Sequence, residues 1–175
     1  MTKDTLIKRL EEIGVISREE VVLRSGESSN FYCDIKKAFG YPDILNALAD
    51  EVGKKLPNFV TCVAASGYGG LSLASVVASR FNRKFVAIRT TSKNHGRGGM
   101  IDGYLPKEED VVVIVDDVLT SGSSIRETLS VLEPFNTKID SAIVAVKRGD
   151  PKLAVPYFYI FDIDEISGNK RQMPR

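Results

Sequence analysis

Residues 111–124 read VVVIVDDVLTSGSS, and their types and order point to one chemistry. Five β-branched residues, Val111 to Val115, have the character of a strand buried on both faces. Asp116 and Asp117 follow at once. After Val118 and Leu119 comes a run of hydroxyls around one glycine: Thr120, Ser121, Gly122, Ser123 and Ser124. An amphipathic helix then begins, with Ile125, Leu129 and Leu132 on one face. A tight hydroxyl-rich turn at a helix N-terminus offers backbone N–H groups and a dipole to a phosphate. The carboxylates accept hydrogen bonds from sugar hydroxyls, directly or through a metal-bound water. The expected ligand is a phosphate carried on something rich in hydroxyls. An ordinary strand-to-helix turn would hold some of these residues but not the whole run.

Other groups support this site with less specificity. Residues 89–99, RTTSKNHGRGG, place Arg89, Lys93, His95 and Arg97 on a backbone freed by Gly96, Gly98 and Gly99. Almost nothing in the segment is apolar, so it reads as a loop that closes over a polyanion, or as a solvated surface loop. Gly67-Tyr68-Gly69-Gly70 nearly fits a dinucleotide fingerprint, but Ser72 stands at its third glycine position. It reads equally as a phosphate cradle or a tight turn against a helix. Arg24, followed by Phe31 and Tyr32, would cover a planar ligand, although aromatics in a local core read the same way. Arg148, after an apolar strand, is placed for a bidentate grip on an anion or for solvent.

The elements that must position these groups follow from periodicity. Helices are expected over residues 4–13, 42–56, 71–80 and from about 124 to 132. Strands are expected at 20–23, 31–35, 59–65, 84–88, 111–115, 142–146 and 157–161, with a long loop over 89–103. Strands alternate with helices from residue 42 onward. The fold class is therefore α/β, with a central, mostly parallel sheet flanked by helices. In such sheets ligands bind at the carboxyl ends of the strands. Residues 67–70, 89, 116–124 and 147–148 all follow strands, so they should share one rim.

Composition bounds the rest. A chain of 175 residues is expected to form one domain, residues 1–175. Twenty-four basic residues against 23 acidic ones leave a formal charge of +1, with no basic excess for nucleic acid. No apolar run reaches a membrane span, and the N-terminus lacks a signal-peptide core, so a cytoplasmic protein is expected. Cys33, Cys62 and a lone histidine cannot make a structural zinc site.

These residues also resemble a known family. VVVIVDDVLTSGSS resembles the phosphoribosyl-pyrophosphate motif of type I phosphoribosyltransferases. The loop RTTSKNHGRGG, an arginine followed by Lys-x-His-Gly, resembles the catalytic loop of the orotate phosphoribosyltransferases. LRSGESSNFYCD, from Leu23 to Asp34, resembles that family's L-[KR]-S-G-x-x-S-x-[YF]-[YF] segment, and the spacing to Arg148 fits. The resemblance implies the type I fold with a small N-terminal hood, formed by residues 1–40 and the C-terminal segment. It implies transfer of a phosphoribosyl group to orotate, giving orotidine 5′-monophosphate and pyrophosphate in pyrimidine biosynthesis.

By the same resemblance, Asp116 and Asp117 hold ribose hydroxyls, the turn Thr120 to Ser124 takes the 5′-phosphate, and Val118 and Leu119 are implied at phosphoribosyl pyrophosphate. Arg89, Thr90, Lys93 and His95 face the pyrophosphate; Lys93, His95 and Asp117 are the implied catalytic set. Thr120, Arg148, Arg24, Phe31 and Tyr32 are implied at orotate. Mg²⁺ is implied as cofactor, held mainly by substrate rather than by direct side-chain ligation. A homodimer sharing its catalytic loop between subunits is implied, with no nucleic-acid or membrane partner. Two positions depart from the family pattern: Thr90 and Gly69 stand where many members carry lysine. Transfer to another base, a phosphoribosyl-pyrophosphate-binding regulator and an NADP-binding domain are the competing readings. The lysine–histidine loop, the even charge and Ser72 weigh against them in turn.

Overall fold

The structure is a computed structural model that describes residues 1–17, 21–22, 28–29, 32–90 and 99–167. It opens with helix α1 (Lys3–Glu12), capped by the Thr2 hydroxyl, which accepts from the Thr5 N–H at 3.2 Å. Four two-residue strands follow: β1 (Ile16–Ser17), β2 (Val21–Val22), β3 (Ser28–Ser29) and β4 (Tyr32–Cys33). β1 pairs antiparallel with β4, and β2 with β3. A 3₁₀ helix, Ile35–Gly40, leads to α2 (Pro42–Gly53), whose Pro42 occupies the first turn, where its missing N–H costs nothing. Then come β5 (Cys62–Ser66), α3 (Gly67–Arg80), β6 (Lys84–Ile88), β7 (Ile101–Gly103), β8 (Val111–Leu119) and α4 (Ser123–Leu132). The chain closes with β9 (Lys138–Lys147), β10 (Tyr157–Asp162) and α5 (Ile163–Ser167).

Six strands form the central sheet in the order β10-β9-β8-β5-β6-β7. All neighbours are parallel except β7, which runs antiparallel to β6. Apolar residues alternate between the two buried faces. Val63, Ala65, Val113, Val115, Ile143 and Phe161 face a core shared with Leu6, Leu10, Ile44, Leu48, Leu73 and Val77 of α1, α2 and α3. Cys62, Ala64, Val112, Ile114, Ala142 and Val144 face the other side, under Ile125 and Leu132 of α4. Burial on both faces is why these strands read as unbroken apolar runs.

At the amino-terminal rim, the Asp110 carboxylate is 2% exposed and accepts from Lys84 Nζ (2.9 Å), Tyr104 Oη (2.9 Å), Thr61 Oγ1 (2.8 Å) and the Lys107 N–H (3.0 Å). These bonds tie the starts of β5, β6 and β8 together. Burial pushes the Asp110 carboxyl up, but Lys84, the Lys107 N–H, Thr61 and Tyr104 outweigh it and hold it well below the usual carboxylate range.

Several expected boundaries move. β8 continues through both aspartates to Leu119, because Asp116 pairs in register with Val144, Val118 with Val146 and Leu119 with Lys147. Ladder bonds in a central strand outweigh the poor strand preference of aspartate. The glycines at 67–70 form the first turn of α3 instead of a loop before it. α2 stops at Gly53, where an added Cβ would fall 1.9 Å from the Phe81 ring, so the helix end is seated on that aromatic. Part of the expected 89–103 loop is β7. Phe59 is exposed, and the strand there starts only at Cys62.

Candidate active site

The carboxyl ends of β5, β6, β8 and β9 meet at one rim, and most of the described candidate residues lie there. Asp116 and Asp117 are nearly buried, at 5% and 7% exposed. Room for them comes from α3. A Cβ on Gly69 would lie 1.9 Å from Asp117 Oδ2, and one on Gly70 2.9 Å from Asp116 Oδ1. The two glycines therefore let the helix start abut the acid pair. Asp116 Oδ1 accepts the Asp117 N–H at 2.9 Å, and Oδ2 accepts the Ser124 hydroxyl. Burial pushes the Asp116 carboxyl up, to about 7; the Ser124 hydroxyl opposes this and the charge of Asp117 adds to it.

Sequence reasoning missed the cation here. Lys36, from the 3₁₀ helix, places Nζ 2.7 Å from Asp117 Oδ2. Its own pKa is raised, chiefly by that contact with Asp117. Oδ2 otherwise accepts no hydrogen bond among the described residues. No pattern around Lys36 marks it; only the fold brings residues 36 and 117 together.

The turn after β8 is held from behind. Gly122 takes a left-handed conformation (φ 77°) and precedes α4 without a side-chain cap. The first N–H groups of α4 thus lack a capping side chain, beside the exposed Thr120, Ser121 and Ser123. Arg126 donates to Ser121 O (2.6 Å) and Lys152 O (2.9 Å), fastening the turn to the segment after β9. Thr128 Oγ1 donates to Ser66 Oγ at 3.1 Å, which seats α4 on β5. Leu119 is 1% exposed and its side chain packs with Ile125; Val118 packs against the opposite core. A strand interior, and not the turn, claims both side chains, which leaves only their backbone facing the rim.

Arg148 is exposed and follows β9. Its N–H donates to Leu119 O at 2.8 Å and that of Gly149 to the same oxygen at 3.0 Å. The hydroxyl turn and Arg148 are thus fixed to each other through backbone. Arg89 follows β6 and forms an ion pair with Asp102 of β7, a partner the sequence did not flag. Its N–H donates to Met100 O at 2.8 Å, closing the base of the loop between them. Arg89, the exposed Thr90, Gly67, Tyr68 and Asp102 line a cavity of about 260 Å³ beside the start of α3. Arg24, Phe31, Lys93 and His95 lie outside the described residues, and Tyr32 enters only as a backbone position in β4.

Among the described residues no three His, Cys, Asp or Glu side chains cluster as a metal cage, and no helix is long and apolar enough to cross a membrane. Cys33 and Cys62 are buried free thiols.

Known proteins share this arrangement. Residues 41–172 match the phosphoribosyl transferase domain family. The chain is 34% identical over 146 residues to an orotate phosphoribosyltransferase of Methanocaldococcus jannaschii, covering 83% of this chain and 82% of that one. It is 33% identical over 148 residues to the Methanopyrus kandleri enzyme of the same name, covering 85% and 79%. The crystal structure of orotate phosphoribosyltransferase from Aeropyrum pernix superposes with a TM-score of 0.78 at 28% identity, over 93% of this chain and 96% of that one. An adenine phosphoribosyltransferase from Thermoanaerobacter pseudethanolicus, at 16% identity and a TM-score of 0.66, shares the fold. A sheet whose strand ends gather an acid pair, a hydroxyl turn and an arginine, matched along most of its length by relatives of one name, places this chain in the orotate phosphoribosyltransferase family.

Proposed function

We propose that the protein transfers the 5-phosphoribosyl group of phosphoribosyl pyrophosphate to orotate, forming orotidine 5′-monophosphate and pyrophosphate in pyrimidine nucleotide synthesis. The observation that carries this is the backbone link between the hydroxyl turn and Arg148 through Leu119 O. It fixes the spacing between a 5′-phosphate seated on residues 120–124 and an acceptor carboxylate gripped by Arg148. Asp116 and Asp117, between them, accept the ribose hydroxyls and set the anomeric carbon in line.

In the reaction the bond from that carbon to the pyrophosphate oxygen breaks, and pyrophosphate leaves with the electron pair. An orotate ring nitrogen gives up its proton to the departing pyrophosphate and forms the new bond from the opposite face. The protein must stabilise a departing polyanion and an oxocarbenium-like sugar. Arg89, Thr90, Lys93 and His95 serve the first need, in a site shut off from water. Asp117 serves the second by its charge beside the sugar. Thr120 completes the orotate site, with Arg24, Phe31 and Tyr32 over the ring. Mg²⁺ suits this donor set, since two hard carboxylates without a third ligand fit an ion carried in mainly by the substrate's own oxygens; there it would neutralise the pyrophosphate.

Residues 1–40 and the chain end would form the hood over the base; the ion pair of Lys3 with Glu165 (2.8 Å) joins the two segments. A homodimer sharing its catalytic loop is part of the proposal. Cytoplasmic residence agrees with the two free thiols. The test is orotate-dependent release of pyrophosphate from phosphoribosyl pyrophosphate, with and without Mg²⁺, against adenine and uracil as competing bases. Turnover of adenine or uracil without turnover of orotate would overturn the proposal.

A further inference from the structure

The acid pair must satisfy two opposed demands. Without substrate, two adjacent carboxylates share a nearly buried space. With substrate, a diphosphate arrives beside them. Both states need positive charge at the start of α3, and α3 cannot supply it on a side chain at residue 69. An added Cβ there would already lie 1.9 Å from Asp117 Oδ2, so this space admits only glycine while Asp117 keeps its place. The cation must reach in from another element.

Lys36 does so. Its Nζ lies 2.7 Å from Asp117 Oδ2. That oxygen lies against Gly69, one residue from the Gly67–Tyr68 wall of the cavity that holds Arg89 and Thr90. The side chain of Lys36 is 57% exposed against 10% for Asp117. Its stem therefore runs through solvent and is free to swing. The backbone around it does not need the ion pair as an anchor. Ile35 and Ala38 are buried, the Asp34 N–H donates to Val15 O at 2.8 Å, and Lys37 Nζ donates to Gly14 O at 3.2 Å. A half-exposed ion pair is weak and readily given up.

We propose that Lys36 is a second pyrophosphate-site cation: it neutralises Asp117 in the free protein and passes to the incoming diphosphate when a ribose hydroxyl takes Asp117 Oδ2. A lysine suits this exchange because it is a compact charge on a flexible stem. The inference rests on the proposed phosphoribosyl transfer and adds a residue that neither the motifs nor the loop contain.

The test compares wild type, Lys36→Met and Lys36→Arg in steady state. In Lys36→Met, KM for phosphoribosyl pyrophosphate and the inhibition constant of pyrophosphate should rise together by roughly 10- to 100-fold, the loss expected for one charge-assisted contact. KM for orotate should stay at its wild-type value, the melting temperature should fall only by the few degrees that an unpaired Asp117 costs, and Lys36→Arg should recover most of the loss. Unchanged phosphoribosyl-pyrophosphate kinetics in Lys36→Met would overturn the inference. So would an equal loss for both substrates with a larger fall in melting temperature, which marks a structural tie. If wild type does not turn over orotate, the transfer reading fails by itself. Calorimetric binding of inorganic pyrophosphate to wild type and Lys36→Met then decides the role of Lys36 separately, and equal affinities would sink it.

Discussion

Gly149 is the tightest point between the two halves of the proposed site, and Gly149→Ala tests the geometry. A Cβ at 149 would lie 2.3 Å from Thr120 O and 3.0 Å from Thr120 C. Such contacts essentially never fall below 3.0 Å, so one backbone must retreat by at least about 0.7 Å. Both partners of the clash are main chain, and no side chain can rotate away. The retreat strains the bonds from the Arg148 and Gly149 N–H groups to Leu119 O, now 2.8 and 3.0 Å. At roughly 0.5–1.5 kcal/mol each, their loss would cost about 1–3 kcal/mol of stability. For a domain of this size that lowers the melting temperature by roughly 2–12 °C.

The functional cost is larger. A displacement near 1 Å between positioned groups can cost about 100-fold in rate. Here it separates Thr120 and the phosphate turn from Arg148. Steady-state assays should show kcat/KM falling by roughly 10- to 100-fold for phosphoribosyl pyrophosphate and orotate alike. Gly40→Ala is the control, since nothing lies within 4 Å of its added Cβ. Gly149→Ala with wild-type kcat/KM for both substrates would refute the claim that this contact sets the distance between phosphate and acceptor.

Three further outcomes are expected. Asp110→Ala strips a shared acceptor from Thr61, Tyr104, Lys84 and the Lys107 N–H, and should cost about 2–4 kcal/mol at neutral pH. Because the folded carboxyl is held below its ordinary value, that stability is present above about pH 4 and lost as pH falls further. Chemical melts of variant and wild type should therefore converge in acid, and a gap that persists there would contradict the account. Ser124→Ala removes the hydroxyl that steadies ionised Asp116, whose carboxyl burial has already raised to about 7. The acid limb of kcat/KM for phosphoribosyl pyrophosphate should move up by on the order of one pH unit, on top of a pH-independent loss because Ser124 belongs to the phosphate turn; a limb at the wild-type pH would count against it. Cys33, pushed up to about 11 by burial, and Cys62, raised for the same reason, should resist iodoacetamide at pH 8 until the protein is unfolded, as mass spectrometry would show.

Much of this arrangement was legible before the fold. The alternation of apolar strands and amphipathic helices predicts a mostly parallel sheet, and the order β10-β9-β8-β5-β6-β7 bears that out. The run at 111–124 marks the site because its chemistry is local: carboxylates, hydroxyls and a helix start lie within fourteen residues. Lys36 and Asp102 were not legible. Each acts on a residue brought near by topology, Lys36 across 81 positions and Asp102 across a strand pair, and a lone lysine or aspartate carries no periodic signal. Strand ends were misjudged where a polar residue sits in a central ladder. Asp116 and Asp117 look like turn residues by preference, yet β9 pairs with Asp116 and with Val118 and Leu119 beyond them, which keeps both in the strand.

The glycines at 69 and 70 show how the same residues support two arguments. Read from sequence, they would let backbone approach an external anion. In the fold, the anions they admit first are the protein's own, Asp117 against Gly69 and Asp116 against Gly70. The start of α3 carries partial positive charge and offers it to the acid pair at no cost in side-chain volume. That helps explain how two carboxylates, each under a tenth exposed, persist side by side at a strand end with Ser124 and Lys36 as their other described side-chain partners. It also limits the repertoire. While Asp117 keeps this place, charge at this point is tuned from elements outside α3, because a side chain at 69 must first displace Asp117. A Gly69→Ala substitution should therefore disturb the acid pair directly and lower kcat/KM for phosphoribosyl pyrophosphate more than it lowers the melting temperature. Unimpaired catalysis in that variant would show that Asp117 can turn aside without loss, and that the fit between α3 and the acid pair is not what positions the sugar.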